Sequence, residues 1–260
     1  MFLRLNYSLY DRYLLTATLR SDASSRFDKE NRTGIFPSVA LGWNMKEENF
    51  LKDVGWLSQL KLRLGWGTVG NQASTGIGDY LSKIANGKKY VLGGQVFEGR
   101  IPEYMSNPQL KWEVAEQYNV GLDLGFFNNK LNFIMDYFVK NTKDMIVRSP
   151  IPSYMGALAP MANVGTMRNK GFEFTVNYAD HIGEFKYNLG LNLSFIDNEV
   201  TSLGQSTPIY KTLFDRLPST SKTEVGHPLA SYWGYQTDGI FNTKEEIGSI
   251  CSYCSRWYSF

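Results

Sequence analysis

Regular alternation of apolar and polar residues, in segments about as long as a bilayer-crossing strand, restricts the fold of this chain more than any other feature. The clearest segment runs from Phe185 to Phe195, where phenylalanine, tyrosine and leucine alternate with lysine, asparagine, glycine and serine. A tilted β-strand needs roughly 9–11 residues to cross a membrane. Because successive side chains of a strand point to opposite faces, such a segment has one face suited to lipid and one suited to water.

The same pattern recurs along most of the chain. No long segment has the periodicity of a helix. We therefore predict an all-β protein, an antiparallel transmembrane β-barrel segment that contributes about nine strands to a larger barrel. The further alternating segments are 3–9, 60–66, 118–126, 131–139 and 172–178, with looser alternation in Tyr13–Arg20 and Phe36–Met45.

The connections between these segments alternate between short and long. Outer-membrane barrels have short periplasmic turns and longer extracellular loops, with aromatic girdles at the membrane boundaries. Aromatic residues such as Tyr10, Phe127 and Phe185 lie beside the short connections, which fits this arrangement. The short connections are Tyr10–Arg12, Phe127–Asn129 and Ala179–Gly183, Lys46–Leu57 is intermediate, and the long ones are Ser21–Gly34, Thr68–Lys111, Arg148–Asn169 and Asp197–His227.

A soluble β-sandwich would show a similar alternation, because its apolar faces pack against each other. The mean hydropathy of −0.30 is also compatible with a soluble protein. The corresponding function would be a soluble or surface-exposed β-rich glycan-binding module or adhesin. Strand length, the alternation of short and long connections, and the glycines and small polar residues on the second face favour the membrane instead.

Charge and reactive side chains argue against several other classes of function. The net charge of +2, from 27 basic and 25 acidic residues, gives no reason to expect a nucleic-acid partner. Gly65–Gly70 matches a dinucleotide-binding glycine motif, but no helix follows it. His181, His227 and the pair Cys251 and Cys254 have no further ligands at metal-binding spacing. We predict no catalytic residues, no metal and no cofactor.

Two groups of residues are candidates for contact with a ligand or with the barrel interior. Exposed aromatic rings in long loops can bind sugars or peptides, although they can equally pack the loops together. Polar residues on the second strand face are expected to face the lumen. The loop aromatics are Tyr80, Tyr90, Phe97, Tyr104, Tyr154, Tyr210 and Phe214, and the lumen-facing candidates are Asp123, Asp136, Glu173, Asn188 and Asn192.

A series of longer motifs occurs in a fixed order along the chain. It comprises DRYLLTAT at 11–18, FPSVALGW at 36–43, LRLGWGTVGNQ at 62–72, FFNNKL at 126–131 and NVGTMRNKGFE at 163–173. In this order the motifs resemble the barrel of the SusC/RagA family of TonB-linked outer-membrane proteins, and the resemblance continues to about residue 247. An ordered series is more specific than any single short motif.

The resemblance implies a part of a nutrient importer of the bacterial outer membrane, in contact with outer-membrane lipid. Members of the family have a plug inside a barrel of about 22 strands, a region that contacts TonB, and a SusD-like lipoprotein that covers the barrel. Oligosaccharides or peptides are the implied substrates. We expect residues 1–248 to be a partial barrel that lacks the plug and the N-terminal TonB-contacting region, with Met1 an internal start. Residues 249–260 depart from the family pattern, which suggests truncation or a frameshift.

Overall fold

Eight strands form one antiparallel sheet in the computed structural model, which describes residues 1–149, 151–204, 207–211 and 219–234. The chain also forms a separate hairpin and a small three-stranded sheet. Helical structure in the described residues is limited to the single 3₁₀ turns Lys29–Asn31, Met45–Glu47 and Ser153–Met155. The strands are β1 Phe2–Leu9, β2 Tyr13–Ala23, β3 Thr33–Asn44, β4 Leu57–Asn71, β5 Ile84–Leu92, β6 Gln95–Pro102, β7 Glu113–Phe126, β8 Leu131–Arg148, β9 Met161–Ile182, β10 Phe185–Ser202, β11 Ile209–Lys211, β12 Ser221–Thr223 and β13 Ser231–Tyr232.

The strand order in the large sheet is β1-β2-β3-β4-β7-β8-β9-β10, so neighbours along the chain are neighbours in the sheet apart from the inserted hairpin. Every pairing is antiparallel, which confirms the all-β prediction. No helix in the described ranges is long and apolar enough to cross a membrane.

The register of the pairs gives the large sheet two different faces. Leu62 is opposite Leu122, which is opposite Met135, and these belong to the apolar face. The residues that alternate with these along each strand form the polar face. Members of the apolar face include Leu5, Leu15, Leu41, Leu64, Val120, Phe133, Phe174 and Leu191, and members of the polar face include Thr16, Ser38, Arg63, Asp123, Asp136, Glu173 and Asn192.

The apolar face is not covered by protein in the part of the chain that the structure describes. Leu3 is 65% exposed and Leu191 is 54% exposed, and other large apolar residues of this face are similarly open. A β-sandwich would bury these side chains against a second sheet. The structure therefore does not support the soluble sandwich.

The strands are longer, and the loops shorter, than the alternation predicts. The predicted loop Thr68–Lys111 contains the β5–β6 hairpin, and the predicted loop Arg148–Asn169 shrinks because β9 begins at Met161. Beyond the apolar belt both strand faces can be polar, so the backbone ladder continues without a visible alternation. The motif Gly65–Gly70 lies within β4 and is therefore not a phosphate-binding turn.

A small apolar core lies at the end of the sheet that carries the long loops. Phe27 and Leu110 are fully buried, and they pack with Phe36, Trp112 and Ile146. The Trp112 ring lies 5.3 Å from the Phe27 ring and 5.6 Å from the Phe36 ring. Its Nε1 donates to the Arg32 carbonyl at 2.9 Å. The core therefore fixes two loops to the strand ends.

Glu48 forms a polar cluster at the other end of the sheet, beside the short turns. Its carboxylate accepts hydrogen bonds from Tyr13 Oη at 2.8 Å, Trp43 Nε1 at 3.1 Å and Arg12 Nη1 at 3.2 Å. The hydrogen bond from Tyr13, followed by that from Trp43, holds the pKa of Glu48 below its ordinary value. Tyrosine and tryptophan with a polar partner are typical of a membrane boundary.

Candidate functional site

A groove of about 710 Å³ crosses the polar face over β2, β3, β4 and β7. Its floor is made mostly of residues with small side chains, so the backbone of four strands is accessible from this side. Charged and amide side chains, among them Arg63 and Asn119, lie along one edge. The small residues of the floor are Thr16, Thr18, Ser38, Ala40, Gly42, Gly65, Gly67 and Gly121.

An ionic cluster across three strands borders this groove. Arg63 of β4 donates from Nε and Nη2 to Asp123 of β7, at 3.0 and 2.7 Å to Oδ1. The same Nη2 reaches Asp136 Oδ2 of β8 at 2.9 Å. A guanidinium suits this role because its donors lie in a rigid planar fork. The cluster ties β4, β7 and β8 together on the polar face.

Gly121 makes room for the cluster. It lies in register with Arg63 on one side and with Asp136 on the other. A β-carbon at this position would stand 2.7 Å from Arg63 Cζ. The glycine therefore leaves the space in which the guanidinium bridges the two carboxylates, a role that the sequence pattern did not indicate.

The five residues predicted to face the lumen all lie on the polar face. Asp123 and Asp136 meet through Arg63, and Glu173 is in register with Asp136. Asn188 and Asn192 lie on β10, opposite Ala179 and Thr175. The structure thus brings three of the predicted residues onto consecutive strands and leaves the two asparagines further along the same face.

The predicted loop aromatics do not form one cluster. Tyr90 and Phe97 stack on each other across the β5–β6 hairpin, with ring centroids 5.7 Å apart. Tyr210 contacts Trp233 edge-on at 6.0 Å, and Tyr154 is 84% exposed. Phe214 lies outside the described residues.

Tyr80 and Tyr104 occupy different positions in the loop between β4 and β7. Tyr80 packs against the apolar core at the loop end. Tyr104 lies under the guanidinium of Arg148, whose Cζ is 4.6 Å from the ring centroid. Tyr104 also lines a small cavity of about 100 Å³.

Charged groups accompany Tyr104 in this cavity. Asp79 Oδ1 accepts from Lys83 Nζ at 2.6 Å, and its Oδ2 accepts from the Gly76 amide at 2.6 Å. Burial alone would raise the pKa of Asp79, but these two hydrogen bonds hold it below its ordinary value. An aromatic ring beside a guanidinium and a carboxylate can bind a small polar group. Of the residues around this cavity, the sequence pattern indicated Tyr104 alone, and the fold brings Asp79, Lys83 and Arg148 to it.

Within the ranges that the structure describes, no three His, Cys, Asp or Glu residues are grouped closely enough to hold a metal ion. Cys251, Cys254 and the tail 249–260 lie outside those ranges.

Curated relatives resemble the chain over most of its length. It is 40% identical over 250 residues to the TonB-dependent receptor SusC of Bacteroides thetaiotaomicron, a match that covers 90% of this chain and 24% of SusC. It is 32% identical over 249 residues to the TonB-dependent receptor P3 of Formosa agariphila, covering 93% of this chain and 24% of that receptor. The chain therefore spans about a quarter of the length of these relatives.

Solved structures agree with the sequence matches. The RagAB peptide transporter aligns with a TM-score of 0.76 and 29% identity, covering 89% of this chain and 24% of the other. The RagAB peptide importer in its closed-closed state gives a TM-score of 0.75 and 28% identity, with the same coverage. Residues 1–252 match the family described as TonB dependent receptor-like, beta-barrel. Its members are outer-membrane receptors and transporters, and the chain belongs to this family as part of an outer-membrane barrel related to SusC and RagA.

Proposed function

We propose that the protein of which this chain is a part imports oligosaccharides or peptides across the bacterial outer membrane. One observation carries the proposal: a single sheet has an uncovered apolar face and an opposite polar face with a groove. A wall with two such faces separates lipid from an aqueous interior. The family consists of receptors and transporters, so the proposed activity is transport without a catalytic step.

In this proposal the polar face is the inner wall of the barrel. The ionic cluster keeps β4, β7 and β8 in register beside the substrate path, and the groove floor leaves room for material inside the barrel. The residues assigned to the lumen are Asp123, Asp136, Glu173, Asn188 and Asn192.

The loop end of the barrel is the proposed place of substrate contact. The Tyr104 cavity is the best-defined candidate, because Arg148 and the Asp79–Lys83 pair surround the ring. Tyr80, Tyr90, Phe97, Tyr154, Tyr210 and Phe214 are the further candidates.

The proposed partners follow from the family. A SusD-like lipoprotein covers the loop end, and TonB acts on the parent protein through a region outside this sequence. RagAB, the solved relative, is described as a peptide importer, and SusC as a TonB-dependent receptor. The description of RagAB supports peptides as a substrate class, and oligosaccharides are the class that the family resemblance implies.

Deletion of the parent gene in its native host tests the proposal. The strain should lose growth on at least one member of a panel of oligosaccharides and peptides supplied as the sole nutrient. The full-length gene should restore it, and a Tyr104→Ala variant should restore it less well than Tyr10→Ala, since Tyr10 is exposed in the short turn between β1 and β2 at the other end of the sheet. Growth unchanged on the whole panel would contradict import.

Fractionation separates this function from a soluble or surface-exposed glycan-binding module. The full-length protein should require detergent for extraction from the outer membrane. Recovery in a fraction free of detergent would favour the binding module, because the apolar face could not then be in lipid.

A further inference from the structure

The apolar face changes character abruptly on the loop side of β7, β8, β9 and β10. One row of this face, read across the four strands, is Val120, Tyr137, Phe172 and Phe195, all apolar or aromatic. Two residues further toward the loop end, the row is Tyr118, Val139, Lys170 and Asp197. The next row is Glu116, Asn141, Arg168 and Glu199, which we call the rim row.

The depth of the rim row in the membrane follows from the apolar rows beside it, which contact lipid. Two residues of a strand span about 6.6 Å, and the rim row is four residues beyond the last purely apolar row, so it lies about 13 Å further along the tilted strands. Long loops mark the extracellular end of an outer-membrane barrel. The rim row therefore lies at the depth of the outer-leaflet headgroups and on the side that faces lipid.

Glu116 is already fully engaged at this level. It accepts from Lys143 Nζ at 2.7 Å, Tyr118 Oη at 2.7 Å and Trp66 Nε1 at 3.1 Å. Tryptophan and tyrosine anchored in this way are characteristic of a membrane boundary. The cluster resembles that of Glu48 at the other end of the sheet, which supports the assignment of both membrane boundaries.

Arg168, the cation of the rim row, forms no ion pair with a carboxylate in the part of the chain that the structure describes. Its Nε donates to Asn141 Oδ1, a neutral acceptor, at 3.2 Å. Glu199 of β10 is opposite Arg168, but the two side chains form no ion pair. Asp197 is held instead by Lys170 at 3.1 Å. The exposed Arg168 guanidinium therefore has donors free for an acceptor from outside the protein.

We infer that Arg168, flanked by Lys143 and Lys170, binds a phosphate group on the headgroup of an outer-leaflet glycolipid. The rim carries carboxylates as well as cations. Selectivity for phosphate therefore comes from the position of the Arg168 guanidinium and not from the net charge of the rim. A guanidinium binds phosphate through paired donors, and cations beside a lipid-facing surface attract anionic headgroups. The acyl chains of the same lipid would lie along the apolar rows below.

Native mass spectrometry of the full-length receptor in detergent tests the inference. The probes are a diphosphorylated lipid A, the same lipid after removal of its phosphates, and inorganic phosphate. We expect the phosphorylated lipid to bind about tenfold more tightly than its dephosphorylated form, and Arg168→Gln to remove most of that preference. Complete displacement of the lipid by millimolar inorganic phosphate would overturn the assignment to a glycolipid, because the site would then bind free phosphate.

The matched control is Lys140→Gln. Lys140 precedes Asn141 on β8 but lies on the polar face, so its loss should leave lipid binding unchanged. If Arg168→Gln fails to assemble, Arg168→Lys takes its place in the test. Because lysine keeps the charge, this variant should retain part of the preference for the phosphorylated lipid. Equal binding of the two lipids, or equal losses in Arg168→Gln and Lys140→Gln, would overturn the inference. Phosphate binding by Arg168 depends on the placement of the sheet in the membrane and not on import. It therefore does not require any variant to lose nutrient uptake.

Discussion

Gly121 and Arg63 are direct partners across β4 and β7, and a β-carbon on Gly121 would stand 2.7 Å from the Arg63 Cζ. The guanidinium bridges Asp123 and Asp136 in space that this β-carbon would occupy. Gly121, on an alternating strand, thus has a specific structural role on the polar face.

Gly121→Ala should displace Arg63 from Asp136 in the full-length receptor. The matched control is Gly65→Ala, where the nearest atom to the new β-carbon would be Asn119 Cβ at a comfortable 3.7 Å. Alanine favours both strands by a similar small amount, so the difference reports the lost bridge, about 1 kcal/mol. The measurement is the melting temperature of the two variants in detergent. Identical melting would show that the close approach has no energetic consequence.

Leu191→Arg should impair insertion of the receptor into membranes. Leu191 lies on the apolar face of β10 and is 54% exposed, so the charge would enter lipid. An arginine near the middle of the bilayer costs about 2–4 kcal/mol on a lipid-facing position. Asn192→Arg, one residue further on the polar face, should be tolerated. Folding yield in lipid vesicles measures both, and equal yields would mean that the faces are assigned wrongly.

Trp112→Ala should loosen the long loop between β4 and β7. Trp112 packs against Phe27 and Phe36 and donates to the Arg32 carbonyl, so its loss leaves a cavity and an unpaired acceptor. A buried aromatic truncated to alanine costs about 3–5 kcal/mol. Limited proteolysis should cut the loop faster in this variant, whereas Tyr154→Ala, at an exposed site, should behave like the wild type. No change in cleavage would show that the core does not restrain the loop.

Glu48→Gln should weaken the receptor at neutral pH but not in acid. The folded-state pKa of Glu48 is held below its ordinary value, so the stabilisation is complete above about pH 4.3 and is lost as the pH falls through the lowered pKa. The difference in melting temperature between wild type and Glu48→Gln should therefore shrink as the pH is lowered through the folded-state pKa of Glu48. Glu47→Gln serves as the control, since the hydrogen bonds from Tyr13 and Trp43 go to Glu48. A difference that stays constant with pH would contradict the assignment.

The alternation in the sequence was sufficient to identify the two faces, because a period of two is a local property of a strand. In β10 the residues of Phe185–Phe195 lie on the faces that their alternation in the sequence predicts. The ends of the strands could not be read in this way. Outside the apolar belt the backbone ladder of β8 and β9 continues while the side chains no longer alternate.

The individual contacts required the three-dimensional register. Arg63, Asp123 and Asp136 are up to 73 residues apart in the chain, and only the pairing of β4, β7 and β8 brings them together. The same is true of the Tyr104 cavity, because Arg148 reaches it from a different strand.

The sequence by itself determined the class of structure, the residues of the apolar face and the family, since each depends on local periodicity or on ordered motifs. The tertiary structure decided which charges meet, where the loops are fixed and where the apolar face ends. Those features depend on strand register, and register is set by the pairing of all strands at once rather than by any single segment.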